Sequence, residues 1–133
     1  DLLRHLKAMG HGDVLVIADA NFPAEGLARR IERLAGVTAT EALRATLTLM
    51  PLDPYVDAPA RTMEVVGDPD AVPEIVVEFQ KVIDSTALTP APVKAVERHA
   101  FYEIAKEAYC IVQTAERRFY GNIILSKGVV APN

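Results

Sequence analysis

The chain has 133 residues and a formal net charge of −4, without a run of basic residues. This length fits a single domain over residues 1–133, and the charge argues against nucleic acid as a partner, since nucleic acids bind clustered positive charge. No apolar run approaches the ~20 residues that a membrane-spanning helix needs, and the single cysteine, Cys110, excludes an internal disulfide, so we expect a cytoplasmic protein with no membrane partner.

The first third of the chain predicts a helix, a buried strand and a weaker strand. Leucines within residues 2–6 lie at helical spacing, and Gly10 is expected to end this helix at the position after the C-cap. The segment "VLVIA" (14–18) is short and rich in β-branched residues, which is typical of a buried strand. A weaker strand is predicted within residues 29–34.

The second third predicts two helices separated by a strand over residues 62–66. Thr38 and Glu41 have the spacing of a capping box, and Pro51 stops the helix that follows them. Asp70 is the expected N-cap of the next helix, with Pro73 in its first turn. The apolar stripe of that helix consists of Val72, Ile75, Val76, Phe79, Val82 and Ile83.

The last third predicts a weak strand over residues 93–97, a helix, and strands over 109–114 and 122–126. The helix carries its apolar face on Phe101, Ile104, Ala105 and Ala108. Apolar strands that alternate with amphipathic helices predict an α/β domain, with a mostly parallel central sheet that is flanked by helices and buried on both faces.

Two residues beside the first strand are candidates for chemistry. Asp19 follows its carboxyl end, where α/β sheets usually bind ligands, and can accept hydrogen bonds from sugar hydroxyls or hold a cation; the alternative is an Asx-turn or helix cap. His11 lies between Gly10 and Gly12, so the backbone can present the imidazole for proton transfer. The alternative for His11 is a solvated residue beside a helix C-terminus.

A third polar cluster lies in "RRFYGNIIL". If the last strand begins near Tyr120, then Tyr120 and Asn122 project to the same face, and Gly121 lets a ligand or another backbone approach. A phenol and a carboxamide suit sugar hydroxyls. The alternative is a tyrosine that anchors the strand beside a turn-forming asparagine.

Other kinds of site have no support in the sequence. His5, His11 and His99 lack the spacing of metal ligands, so no metal is expected. The segment "GHGD" precedes a strand, whereas a dinucleotide-binding loop follows one. A nucleophile elbow is also absent.

Taken together, "MGHGDVLVIADANFP", "ERHAFYEIAKEA" and "TAERRFYGNIILSKGV" resemble the D-ribose pyranase and L-fucose mutarotase (RbsD/FucU) family over nearly the full chain. The resemblance implies an enzyme that interconverts cyclic forms of a free monosaccharide without cofactor or metal. It also implies ring-shaped homo-oligomers, decamers being the familiar form, with sites at subunit contacts.

The resemblance also assigns residues. The catalytic histidine of the family falls on His11, and its sugar-binding aspartate falls on Asp19. Its Tyr-x-Asn pair falls on Tyr120 and Asn122. Arg98 matches the basic position before "AFYE" and indicates the L-fucose branch.

Mutarotation needs a proton delivered to the ring oxygen and another removed from the anomeric hydroxyl. We expect His11 to be the main proton donor and acceptor, with Tyr120 as a second relay. Eight residues of extended chain, from His11 to Asp19, span up to about 26–29 Å, far more than a monosaccharide. Either the loop curls back or the site combines two protomers, and we predict the second.

The substrate stays open at this stage, because Asn21 replaces the histidine that fucose-type members often carry in "DAHFP". L-fucose or a related sugar is the leading expectation. The alternatives are a D-ribose pyranase and a non-catalytic sugar-binding or transport-accessory protein in which His11 is inert.

Overall fold

The computed structural model describes residues 1–132, and Asn133, the last residue of the predicted domain, lies outside them. Six strands form one sheet: β1 (Val14–Ala18), β2 (Ile31–Arg33), β3 (Ala60–Met63), β4 (Lys94–Val96), β5 (Cys110–Gln113) and β6 (Ile123–Ser126). The helices are α1 (Leu2–Ala8), α2 (Ala24–Leu27), α3 (Ala39–Leu47), α4 (Glu74–Thr86) and α5 (Arg98–Glu107). Within residues 1–132, no helix has the length and apolar character to cross a membrane.

The sheet has the strand order β2-β5-β1-β6-β3-β4. The pairs β2–β5, β1–β5 and β3–β4 are parallel, whereas β6 runs antiparallel to both of its neighbours, β1 and β3. The prediction of a mostly parallel sheet in an α/β fold is therefore confirmed. Because β6 is antiparallel to β1 and β3, its amino end lies at the same edge of the sheet as their carboxyl ends.

Side chains that alternate along β1 build two separate apolar layers. Leu15 and Ile17 pack with residues of α1, α3 and α4, whereas Val16 and Ala18 pack with residues of α2 and α5. The central strands are buried on both faces, as predicted. Cys110 lies in the first layer, and burial raises the pKa of its thiol to about 11.

The predicted cap of α4 is wrong. The helix begins at Glu74, its N-cap position is occupied by Pro73, and no side chain caps it. The ring of Pro73 disfavours helical geometry at Val72, so the helix cannot extend back to Asp70. The capping box at the start of α3, in contrast, is confirmed.

The end of α1 differs from the expectation in its geometry. Gly10 does follow the C-cap residue, Met9, but the chain leaves the helix in an extended conformation at Met9 (φ −67°, ψ 138°). The left-handed residue of this segment is instead Gly12 (φ 86°). The turn that presents His11 therefore depends on the second glycine rather than the first.

Gly128 provides a test of the packing after β6. A Cβ atom there would lie 2.5 Å from the carbonyl oxygen of Leu52, whereas a Cβ at Gly26 in α2 would meet no atom within 4 Å. We expect Gly128→Ala to lower the free energy of unfolding by about 1–3 kcal/mol, because backbone must shift to make room. Gly26→Ala is the control, and urea unfolding should show no loss for it. Equal stabilities of the two variants would contradict the close approach.

Candidate active site

Side chains from four parts of the chain, three of them polar, meet at one edge of the sheet. Asp19 follows β1, Met63 ends β3, Arg98 begins α5 two residues after β4, and Asn122 precedes the antiparallel β6. They line a cavity of about 310 Å³ together with Tyr120. The structure thus brings together four of the predicted site residues, and the cavity lies where parallel strands end, as is usual in α/β folds.

Asp19 and Asn122 hold each other through reciprocal hydrogen bonds, and both are buried. The Asp19 backbone N–H donates to Asn122 Oδ1 (2.7 Å), and Asn122 Nδ2 donates to Asp19 Oδ2 (3.1 Å). The backbone N–H of Asn21 donates to Asp19 Oδ1 at 3.0 Å. Asn122 therefore fixes the orientation of the Asp19 carboxylate relative to the cavity.

Burial disfavours the ionised form of Asp19, and hydrogen bonds favour it. Burial raises the pKa of the Asp19 carboxyl above its ordinary value of 3.8, and the hydrogen bonds from Asn21 and Asn122 offset part of that rise. In its ionised form, the carboxylate is a strong acceptor for hydroxyl groups.

The condition for Tyr120 and Asn122 to share a strand face, a strand that begins near Tyr120, is not met. The strand begins at Ile123, and Tyr120 has a left-handed backbone (φ 63°), so the alternation of a strand does not place Tyr120 and Asn122 on one face. Both side chains still line the cavity, because the turn aims Tyr120 toward it. The Tyr120 hydroxyl accepts a hydrogen bond from the Val66 N–H (3.0 Å).

The space beside Gly121 is filled by side chains of the same chain. A Cβ atom there would lie 2.9 Å from both Glu116 Cγ and Ile75 Cδ1. The expectation that Gly121 leaves room for a ligand or another backbone is therefore corrected: two side chains occupy that space. This tight packing fixes the turn that carries Tyr120.

A network of ion pairs between Arg118, Glu116 and Glu78 also stabilises the turn that carries Tyr120. The buried Glu116 accepts hydrogen bonds from the backbone N–H and Nε of Arg118 (3.2 and 3.1 Å) and from the Ala39 N–H (3.3 Å). Arg118 also binds Glu78 on α4, and its hydrogen bonds lower the pKa of the Glu78 carboxyl. The segment between β5 and β6 is therefore tied to both α3 and α4.

The cavity also has an apolar wall of aromatic and aliphatic side chains. The rings of Phe22 and Tyr102 lie 5.8 Å apart, and Met63 lies beside them in the cavity lining. Phe119 is 75% exposed at the rim. A carboxylate and an amide opposite aromatic rings suit a small ligand with several hydroxyls and one apolar face.

His11 lies at the opposite edge of the sheet. It precedes β1, whereas Asp19 follows it, and the five residues of β1 span about 17 Å at ~3.3 Å per residue. The cavity that Asp19 lines does not include His11. Within one chain, therefore, the structure does not bring His11 together with the other four predicted residues.

The partner of His11 is Asp53, which sequence reasoning missed. His11 Nε2 lies 3.2 Å from Asp53 Oδ1, and the ring of His11 packs edge-on against Tyr55 at 5.8 Å. Asp53 also accepts the Tyr55 backbone N–H, as an aspartate in a simple turn would. The sequence around Asp53 shows only that turn, since its contact with His11 spans 42 residues.

The Asp53 contact sets the tautomer of His11. When Asp53 is ionised it only accepts hydrogen bonds, so a neutral His11 ring paired with it carries its hydrogen on Nε2 and its lone pair on Nδ1. The Asp53 side chain is 3% exposed, whereas that of His11 is 48% exposed. The contact orients the imidazole, and about half of its surface is open to the outside of the chain.

Comparison with known proteins gives a consistent result. Residues 1–130 match the sequence model of the RbsD / FucU transport protein family. The chain is 39% identical to an L-fucose mutarotase of Histophilus somni (97% of this chain, 90% of that one) and 42% identical to the fucose mutarotase of Homo sapiens (100% and 90%). A fucose mutarotase from Streptococcus pneumoniae, solved in complex with L-fucose, superposes with a TM-score of 0.91 at 44% identity (98% and 93%).

The reciprocal Asp19–Asn122 pair gives a prediction about titration. Because the folded-state pKa of Asp19 lies above 3.8, the folded protein binds this proton more tightly than the unfolded chain does. This residue therefore adds stability as the pH falls through the raised pKa, and that contribution is lost as the pH rises. Removing the amide in Asn122→Ala should raise the pKa of Asp19 further, because one of the hydrogen bonds that lower it is lost.

Carbon-13 NMR of the Asp19 carboxyl measures this directly. Asn21→Ala is the matched control, because Asn21 binds Asp19 through its backbone N–H, which the variant keeps. Its titration should follow that of the native chain. An unchanged titration in Asn122→Ala would show that the amide does not stabilise the ionised carboxylate.

Proposed function

The chain belongs to the RbsD/FucU family, and from this we propose that it is a sugar mutarotase that interconverts the cyclic forms of a free monosaccharide, with L-fucose as substrate and no cofactor or metal. The observation that carries the proposal is the 39–42% identity to fucose mutarotases over nearly the whole chain. The cavity at Asp19 supports it, since it offers a fixed carboxylate and an aromatic wall.

The reaction requires two coordinated proton transfers. The ring opens when the anomeric hydroxyl loses a proton and the ring oxygen gains one, and it closes by the reverse steps after the carbonyl group has rotated. His11 is the main donor and acceptor, because Asp53 holds Nε2 and leaves Nδ1 to exchange a proton with the sugar. The Tyr120 hydroxyl accepts from Val66, which leaves its own hydrogen to donate as a second relay.

The cavity residues hold the sugar in place. Asp19 and Arg98 bind hydroxyl groups. One hydrogen of the Asn122 amide binds Asp19, and the second can bind a further hydroxyl. The apolar wall with Met63 and Tyr102 receives the less polar part of the ring. L-fucose is a 6-deoxy sugar, so its methyl group is suited to such a wall.

A complete site then needs two copies of the chain. His11 and Asp19 lie at opposite edges of the sheet, and no monosaccharide spans the length of β1. We propose a homo-oligomer, a decamer in keeping with the resemblance, in which His11 of one protomer faces the cavity of its neighbour. Residues 1–133 form one domain of this assembly, which we place in the cytoplasm in keeping with the lone, buried thiol of Cys110.

An exposed apolar surface at the His11 edge supports the shared site. Tyr55, which packs against His11, is 77% exposed. Leu52 and Pro54, which flank Asp53 in the chain, line a groove together with the exposed side chains of Leu49, Leu88, Val129 and Val130. Apolar surface of this kind, adjacent to a candidate catalytic group, is typical of protein–protein contacts.

Mixing two inactive variants tests the shared site. His11→Ala and Asp19→Ala should each abolish anomer exchange while they keep the fold, as judged by circular dichroism. In hetero-oligomers assembled from equal amounts of both, about one quarter of the sites combine an intact His11 edge with an intact Asp19 edge. NMR exchange spectroscopy on L-fucose should therefore recover about one quarter of the native rate.

A second mixture serves as the control. His11→Ala combined with Asp53→Ala damages the same edge in every chain, so no intact site forms and no activity should return. If the first mixture stays inactive, the site lies within one chain. If His11→Ala alone keeps full exchange, His11 is not the proton donor.

A panel of sugars tests the substrate. We expect the protein to accelerate exchange of L-fucose with a KM roughly 10-fold below that of L-galactose, which adds a hydroxyl at the carbon that the apolar wall would contact. Saturation-transfer NMR reports the rates against the spontaneous reaction. Preferential exchange of D-ribose between pyranose and furanose would indicate a ribose pyranase, and binding without acceleration would indicate a sugar-binding protein.

A further inference from the structure

Lys127, the residue after β6, connects the segments around His11. Its ammonium group donates hydrogen bonds to the carbonyl oxygens of Leu6 (2.7 Å) and Met9 (2.6 Å) at the end of α1. Its backbone carbonyl accepts the Gly12 N–H, and its backbone N–H donates to the Asp13 carbonyl, both at 2.9 Å. Lys127 therefore binds the chain on both sides of His11, at the end of α1 before it and at Gly12 and Asp13 after it.

The side-chain contacts meet a local need of α1. The last carbonyl groups of a helix lack partners within the helix, and a cation at that end also interacts favourably with the helix dipole. The loop that follows contains Gly10 and Gly12, which give the backbone wide conformational freedom. Fixing Met9 therefore restricts the point from which this flexible loop starts.

The same end of β6 also positions the partner of His11. Leu52 forms a β-bridge with Lys127, and the Asp53 N–H donates to the Ser126 carbonyl at 3.0 Å. The segment that carries the imidazole and the segment that carries its carboxylate are thus both attached to residues 126–127. A small displacement of either segment would lengthen the contact between His11 and Asp53.

We propose that Lys127 is a positioning residue for proton transfer: by binding the end of α1, its ammonium group fixes the loop that presents His11 to Asp53. This inference rests on the proposed role of His11. The ammonium group of Lys127 donates to two carbonyl oxygens at the end of α1, so Lys127 acts on the reaction through the loop rather than by touching the sugar. Its backbone contacts survive substitution, so a variant isolates the effect of the side chain.

The test compares Lys127→Met with Lys7→Met in the full chain. Lys7 is an exposed residue in the last turn of α1, so its variant removes a nearby charge without removing the two hydrogen bonds. We expect Lys127→Met to lower kcat for L-fucose exchange by about 10-fold or more, because a displacement near 1 Å strongly reduces catalysis. KM should stay within about twofold, since the residues proposed to bind the sugar hydroxyls are unchanged. Lys7→Met should keep both constants.

Conservative variants separate positioning from a general loss of structure. Lys127→Arg restores a cation with several donors and should recover part of kcat. Lys127→Gln keeps a neutral donor group and replaces the methionine variant if that variant does not fold. We then expect the same result, a lower kcat with a nearly unchanged KM. All rates are measured well below the melting temperature of each variant.

The outcomes are distinct. A native kcat in Lys127→Met, a rise in KM equal to the fall in kcat, or an arginine variant as slow as the methionine variant would each overturn the inference. If His11→Ala keeps its activity, the proposed function fails first. If His11→Ala is inactive and Lys127→Met is fully active, only the positioning role fails.

Discussion

The antiparallel strand β6 lies between β1 and β3, and both the cavity at Asp19 and the contact of His11 with Asp53 depend on it. Its register with β1 pairs Ile123 with Ile17 and Ser126 with Val14. At its amino end, Asn122 holds Asp19, and at its carboxyl end residues 126–127 hold the segments of His11 and Asp53. A slip of one residue would move every side chain of β6 to the other face. The two apolar layers that enclose the strand prevent that slip and so fix both the cavity and the contact.

Two unfavourable features lie at the cavity. A carboxylate is buried at Asp19, and Tyr120 adopts a left-handed backbone, which costs of order 1–3 kcal/mol for a residue other than glycine. Both features are stabilised by neighbouring side chains: Asn122 binds Asp19, and Glu116 and Arg118 hold the turn of Tyr120. Such support keeps polar groups in a fixed geometry before a ligand arrives, which lowers the entropy lost on binding.

The sequence predicted the features that depend on neighbouring residues. The apolar run of β1, the capping box of α3 and the position of Asp19 after a buried strand all follow from local patterns. The departures at Asp70 and Tyr120 arose where a proline and a tightly packed glycine override such patterns. Asp53 was missed because its turn gives no sign of His11, which joins it only after β6 pairs with β3 and β1. Contacts that depend on sheet assembly leave no local signal.

The burial of Cys110 has a practical consequence for chemical labelling. At about pH 7.5, a thiol with a pKa of about 11 is a thiolate in roughly one molecule in 3,000. Maleimides and alkyl halides react with the thiolate and need access to it, so the native thiol stays unmodified beneath its helices. A cysteine introduced at an exposed position such as Val72 would then carry a fluorophore or spin label selectively. The label then reports on one defined position without first removing a core residue.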